Sequence, residues 1–248
     1  MHLAPRFPLP YNIGMKEAAW MIIREYGDSA ARVMLVQPVG QHELPLIDDE
    51  IAQIGHMTDR PFRYLAVQVE NWNRDLSPWT APAVFGDEDF GDGAEALLEE
   101  ILPLCAEQDK DYIIGGYSLA GLFALWSACR TDVFSGAAAA SPSLWFPGFS
   151  AYMKEKGLGC ETVYLSLGMR EEKTRNPVMR TVGDCARHCY AWMKEQGVNC
   201  TLEWNPGNHF KEPGLRTAKA FAWVMNHMRE KPAHAAEKRN MKKTENLC

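Results

Sequence analysis

The chain has 248 residues, 46% of them hydrophobic and 23% charged, with a net charge of −6. This near-average globular composition excludes a collagen, a coiled coil and a disordered chain. With 32 acidic against 26 basic side chains it lacks the basic excess that a phosphate backbone calls for, so no nucleic-acid partner is expected. A chain this long buries roughly 70–75% of its unfolded surface and needs neither disulfide nor metal to hold a core. No run approaches the ~20 apolar residues of a membrane span, so no membrane association is expected. The opening MHLAPRFPLPYNIG lacks the continuous apolar stretch of a secretory signal. Seven cysteines without CxxC spacing read as reduced thiols, and a cytoplasmic protein is expected. Cys185 and Cys189, flanking His188, read as neighbours on one helix rather than as metal ligands.

Short apolar runs rich in β-formers lie at Arg32–Val39, Phe62–Val69, Tyr112–Gly115, Ser135–Ala140, Thr162–Leu167 and Cys200–Trp204. Helical patterns fall between and after them, at Asp48–His56, Gly93–Glu107, Leu119–Cys129, Asn176–Gln196 and Leu215–Arg229. Several runs are apolar on successive residues, as strands covered on both faces are. The alternation predicts one α/β domain over residues 1–231, with a mostly parallel sheet and helices on both faces. Residues 232–248, rich in Lys, Glu and Asn, read as a disordered tail. The stretch Asn71–Gly93, with its prolines and glycines, reads as a long ordered loop over one end of the sheet.

The segment Asp111–Trp126 reads DYIIGGYSLAGLFALW: an apolar run, a glycine-bearing turn with Ser118 at its apex, then an apolar helix. This is the context of a nucleophile elbow. Gly116 and Ala120, two before and two after the serine, are small enough for strand and helix to pass closely. The helix N-terminus and the free Leu119 N–H then face the oxygen of a tetrahedral intermediate. In α/β-hydrolases an acid and a histidine follow the serine in that order. Glu171 and Glu172 lie just past the Glu161–Leu167 segment, and His209 lies in a Pro/Gly loop after Thr201–Trp204. Each stands at the C-terminal end of a predicted strand, where ligand sites of open α/β sheets lie. Either glutamate satisfies the pattern.

Residues 32–230 resemble the esterase group of the α/β-hydrolase superfamily, the relatives of esterase D and of the enterochelin esterases. GYSLAGLFALW, the SPSLWF run at 141–146, the LGxxEE segment and the NHF segment carry the resemblance. Ser118-Leu119-Ala120-Gly121 stands where the group more often has Ser-x-Gly-Gly. The resemblance implies an α/β-hydrolase fold and a serine esterase acting on a small-molecule ester without cofactor or metal. It favours Glu171 over Glu172 as the acid. It places a second oxyanion donor in the loop after Phe62–Val69, at the N–H of Asn71 or Trp72. Acyl transfer by the same triad, and ligand binding without catalysis, remain alternatives; self-association stays open.

Aromatic residues of the loops, Trp145 foremost and Tyr117 beside the serine, are expected to wall the substrate. Of the other histidines only His42, in the loop after Arg32–Val39, rivals His209 as a site residue, and lining the cleft is the lesser reading for it. An acidic block of ten carboxylates without a Lys or Arg between them spans Asp75–Asp109. It reads as a solvated face; rimming the site, it would repel anionic substrates.

Overall fold

The computed structural model describes residues 22–229. The tail at 232–248, and with it the extent of the 1–231 domain, lie outside the described residues.

Among the described residues seven strands form one sheet: β1 Ile22–Gly27, β2 Val33–Val39, β3 Phe62–Gln68, β4 Asp111–Tyr117, β5 Phe134–Ala140, β6 Thr162–Gly168 and β7 Asn199–Asn205. Their order is β1-β3-β2-β4-β5-β6-β7. All neighbours pair in parallel except β1, which runs antiparallel to β3 at the edge. Every residue of β2, β4 and β6 is buried, as expected of strands covered on both faces.

Seven α-helices are found among the described residues: α1 Ile47–Met57, α2 Trp72–Asp75, α3 Ala94–Ile101, α4 Leu119–Arg130, α5 Phe149–Lys156, α6 Val182–Glu195 and α7 Pro213–His227. Side chains of α1 and α7 fill one core with Leu35, Tyr64 and Ile113. Those of α3, α4, α5 and α6 fill the other with Val36, Ile114 and Leu165. The sheet thus has helices on both faces.

The differences from the sequence expectation are local. The predicted helix at 93–107 stops at Ile101 and tightens into a 3-10 turn over Leu102–Cys105, because Pro103 cannot continue it. The first predicted turn of the 176–196 helix is likewise 3-10, at Met179–Thr181. The 71–93 stretch contains α2 and an Ala81–Phe90 bridge. Strand β1 and helix α5 were not anticipated.

The chain steps from β2 outward to β3, then returns past β2 to β4. Adjacent connections therefore leave in opposite directions at β2 and β4, and a crevice opens between the loops that follow them.

Candidate active site

Ser118 is the single residue between β4 and α4, with φ 58° and ψ −117°. A side-chain-bearing residue at positive φ costs about 1–3 kcal/mol and persists only where its surroundings hold it. Here the Ser118 N–H donates to the Ala140 carbonyl at 3.1 Å, and its own carbonyl accepts from Leu122 N at 3.0 Å and Ser143 N at 3.1 Å. A Cβ added to Gly116 would lie 2.5 Å from the Cβ of Ala120. Ala120 is accommodated because Gly116 is bare. As the first helical residue, Leu119 has an N–H with no intrahelical acceptor, and it finds none among the described residues.

His209 stands beyond β7 with Nε2 3.0 Å from Ser118 Oγ and Nδ1 2.8 Å from Glu171 Oε2. Glu171 opens a short 3-10 turn just after β6. Its other oxygen, Oε1, accepts from Gly168 N at 2.6 Å, Ser141 Oγ at 2.9 Å and Arg216 Nη1 at 3.0 Å. The two oxygens are thus divided: one fixes the acid, the other fixes the histidine. Burial pushes the Glu171 carboxyl up, but the bonds and charge of His209, the Gly168 N–H and the Ser141 hydroxyl outweigh it, leaving the group below its ordinary range.

Sequence reasoning missed Arg216 and Ser141. Arg216 projects from α7 and is only 2% exposed. Its guanidinium also donates to the carbonyls of Pro206 at 3.0 Å and Asn208 at 2.9 Å, clamping the loop that presents His209. A Cβ on Gly168 would fall 3.0 Å from both guanidinium nitrogens, so the bare backbone makes room for them. The available signal was an arginine on the apolar face of a helix, in line with Ala220 and Val224. Ser141, at φ 44°, lies inside the SPSLWF run already singled out.

Three expectations need correction. Glu172 does not reach His209: both its oxygens accept from Arg187, at 2.8 and 3.1 Å. Tyr117 does not face the cavity. It is buried, its hydroxyl donates to the His209 carbonyl at 2.5 Å and accepts from Arg216 Nη1 at 3.1 Å, and its ring lies 5.1 Å from the imidazole. It supports His209.

The second oxyanion donor does not fall at Asn71 or Trp72. Asn71 N already donates to Asp75 Oδ2 at 2.8 Å, and both residues follow β3, which β2 separates from β4. The β2–β4 register, continued past Val36↔Ile114, brings Gly40 level with Ser118. Strand spacing makes that loop the nearer one by ~4.8 Å. Gly40 N donates to Glu43 Oε2 at 2.8 Å, and Glu43 N closes the turn onto the Gly40 carbonyl at 3.0 Å. The N–H of Gln41, at the next position of that turn, has no acceptor among the described residues. The sequence could not show this, because strand order is not written in it.

Of the other expected residues, Trp145 lines a cavity of ≈ 400 Å³ beside His209, together with Ser141, Pro142, Arg170, Lys173 and Phe210. His42 packs edge-on against Trp72, 5.6 Å between ring centres, at a depression that Gly40 and Gln41 also line. Part of the acidic block is engaged by neighbouring groups. Asp75 accepts from the N–H groups of Glu70 and Asn71, Asp89 from that of Ala83, and Glu95 pairs with Arg130. No group of three or more metal-ligating side chains is found among the described residues, and no described helix is long and apolar enough to cross a membrane.

No family model matches the chain, and no curated protein matches it. Solved structures do. The siderophore hydrolase EstA of Aspergillus nidulans superposes with a TM-score of 0.63 at 16% identity, over 91% of this chain and 98% of that one. An IroE-like serine hydrolase of Shewanella oneidensis gives 0.66 at 14% identity, over 82% and 75%. Brefeldin A esterase, described as a bacterial homologue of human hormone-sensitive lipase, gives 0.53 at 13% identity, over 91% and 77%.

The fold is that of an α/β-hydrolase.

In the terms of that fold, Ser118 occupies the elbow after the central strand, and Glu171 and His209 follow the next-to-last and last strands of this sheet. Identities this low carry the architecture and not the substrate.

Proposed function

We propose that the chain is a serine hydrolase that cleaves a small carboxylic ester through Ser118, His209 and Glu171. One observation carries the reading: Ser118 Oγ, on a positive-φ elbow, lies 3.0 Å from His209 Nε2, while Nδ1 of the same ring lies 2.8 Å from a buried carboxylate. Ser118 Oγ attacks the ester carbonyl carbon as His209 Nε2 takes its proton. The carbonyl oxygen becomes an oxyanion held by the N–H groups of Leu119 and Gln41. Collapse expels the alcohol, which leaves with the proton from His209, and the acyl group stays on Ser118. Water, deprotonated by His209, then attacks the acyl carbon, and the acid leaves as the proton returns to Ser118. Throughout, Glu171 keeps Nδ1–H directed at itself and offsets the imidazolium charge. The esterase and hydrolase names of the structural neighbours agree with this chemistry.

A hydrolase-fold binding protein without catalysis would leave the histidine out of reach of the serine, and the 3.0 Å contact speaks against it. Acyl transfer would use the same groups with an alcohol in place of water. Turnover of p-nitrophenyl acetate by wild type and Ser118→Ala tests the proposal. The variant should fall by at least about 10³-fold, with covalent fluorophosphonate labelling lost; equal turnover overturns it. Product partitioning with an added alcohol reads the balance between hydrolysis and transfer.

A further inference from the structure

The ≈ 400 Å³ cavity lies on the His209 side of the crevice and is walled by loops that follow β5, β6 and β7. Its apolar wall is Trp145, Met179 and Phe210. Its polar wall is cationic: Arg170 and Lys173 line it, both side chains exposed. Neither pairs with a carboxylate among the described residues. Of the two glutamates between them, Glu171 is the only carboxylate in the lining, and its oxygens are taken by His209, Ser141, Gly168 and Arg216. Glu172 turns away to Arg187. The segment bearing the cations is fixed by its backbone: Arg170 N donates to the Gly207 carbonyl at 3.0 Å, and Lys173 N to the Arg170 carbonyl at 3.1 Å. Two unpaired cations are thus held beside an apolar wall and next to the base.

Direction follows from the proposed chemistry. The oxyanion faces the β2 side, towards Leu119 and Gln41. The alcohol takes its proton from His209, so the body of the alcohol lies on the opposite, β5–β7 side, where the cavity is. We propose, resting on the esterase reading above, that this cavity binds the alcohol half of the substrate and that Arg170 and Lys173 receive a carboxylate on it. The preferred substrate class is then an ester whose leaving alcohol is anionic and carries an aromatic or other apolar body for Trp145 and Phe210.

Paired esters test this. 4-Acetoxybenzoate releases an anionic phenol and its methyl ester a neutral one. The quantity read is the ratio of kcat/KM for the anionic to the neutral ester, and comparing that ratio between proteins cancels the intrinsic reactivity of the two compounds. In Arg170→Gln/Lys173→Gln the ratio should fall about tenfold, and in Arg170→Glu/Lys173→Glu further, since opposite charges attract and like charges repel. In wild type the ratio should fall as salt is raised, a readout independent of any variant's folding. A parallel pair with the charge on the acyl half, p-nitrophenyl hemisuccinate and p-nitrophenyl acetate, should shift by less than about twofold in the same variants. A ratio unmoved by substitution and by salt, with neutral esters still cleaved through Ser118, overturns this proposal alone. A larger shift in the acyl pair overturns the assignment to the alcohol. Failure of wild type to cleave any of the four esters overturns the esterase reading and this proposal with it.

Discussion

Two carboxylates are buried in this fold to nearly the same depth, and their surroundings treat them in opposite ways. Glu171 is 7% exposed and Glu50, on α1, is 6% exposed. Around Glu171 stand a histidine, a guanidinium, a hydroxyl and a backbone N–H, and its carboxyl is held below the ordinary range despite burial. Around Glu50 the one charged neighbour that acts on it is another acid, Glu43. Burial pushes it up to about 8, the nearby Glu43 adds to the rise, and hydrogen bonds from Tyr64 and Gln37 offset only part of it. Glu43 is itself pushed up by burial to about 7, against a bond from the Gly40 N–H. Depth alone does not set the charge of a buried acid; the sign and number of its donors do. On the β6–β7 side those donors keep a negative charge ready for a histidine. On the β2–β3 side their scarcity favours a neutral acid beneath the turn that carries Gln41.

The largest effect should come from replacing Glu171 by Gln, which keeps the shape and removes the charge. Ester kcat/KM should drop by roughly 10³–10⁴-fold, because the imidazole loses both its fixed tautomer and its counter-charge. A loss below tenfold would mean that Glu171 is merely structural.

Arg216→Met sharpens the same side of the comparison through stability. It leaves the buried Glu171 carboxylate short of its cation, and urea unfolding should show a loss of about 3–5 kcal/mol. Combined with Glu171→Gln, the loss should be smaller than the sum of the two single changes, since the groups share one network.

Glu50→Gln should act in the opposite direction. An acid raised from its usual value to about 8 holds its proton in the folded state between those values, while the unfolded chain has released it. Stability from this group is therefore complete at low pH and declines as pH rises towards 8. The variant should melt like wild type near pH 4 and above it at pH 8–9. Glu171 has the reverse sign: its contribution is present at neutral pH and is lost as pH falls below the ordinary carboxylate range. A Glu50→Gln protein less stable than wild type at pH 9 would erase the contrast.

The smallest change should come from Glu172→Gln, one residue from Glu171. Its pair with the half-exposed Arg187 is a surface contact, worth no more than ~0.5 kcal/mol. Ester turnover should stay within about twofold.

Much of this site could be read in the chain because its parts belong to local grammar. A serine between a glycine-ended strand and an apolar helix, a glutamate past a strand and a histidine in a Pro/Gly loop are each short-range patterns, and their order links them. Between Glu171 and Glu172 the residues themselves leave both open and only the family resemblance leans to Glu171; the 3-10 turn that aims one at His209 and the other at Arg187 is not visible in two adjacent identical residues. Arg216 acts on Glu171 from 45 positions away, and the Gln41 amide gains its place from β2 lying next to β4 although β3 intervenes in sequence. Such relations arise from sheet order and packing. The same holds for β1, whose alternate burial in an antiparallel edge pairing leaves Ile22 facing outward, and for α5, whose start depends on the left-handed Gly148.

Tyr117 precedes Ser118 by one residue and holds the backbone carbonyl of His209, which lies 92 positions further along the chain. One phenol therefore works as a ruler between Ser118 and His209, anchored at one end in the fully buried strand β4. Changes of side chain at Phe210 or Lys211 leave that ruler untouched, because the loop is gripped by its carbonyls at Pro206, Asn208 and His209. The surface at Phe210 and Lys211 is thus free to vary without resetting the 3.0 Å between Ser118 Oγ and His209 Nε2.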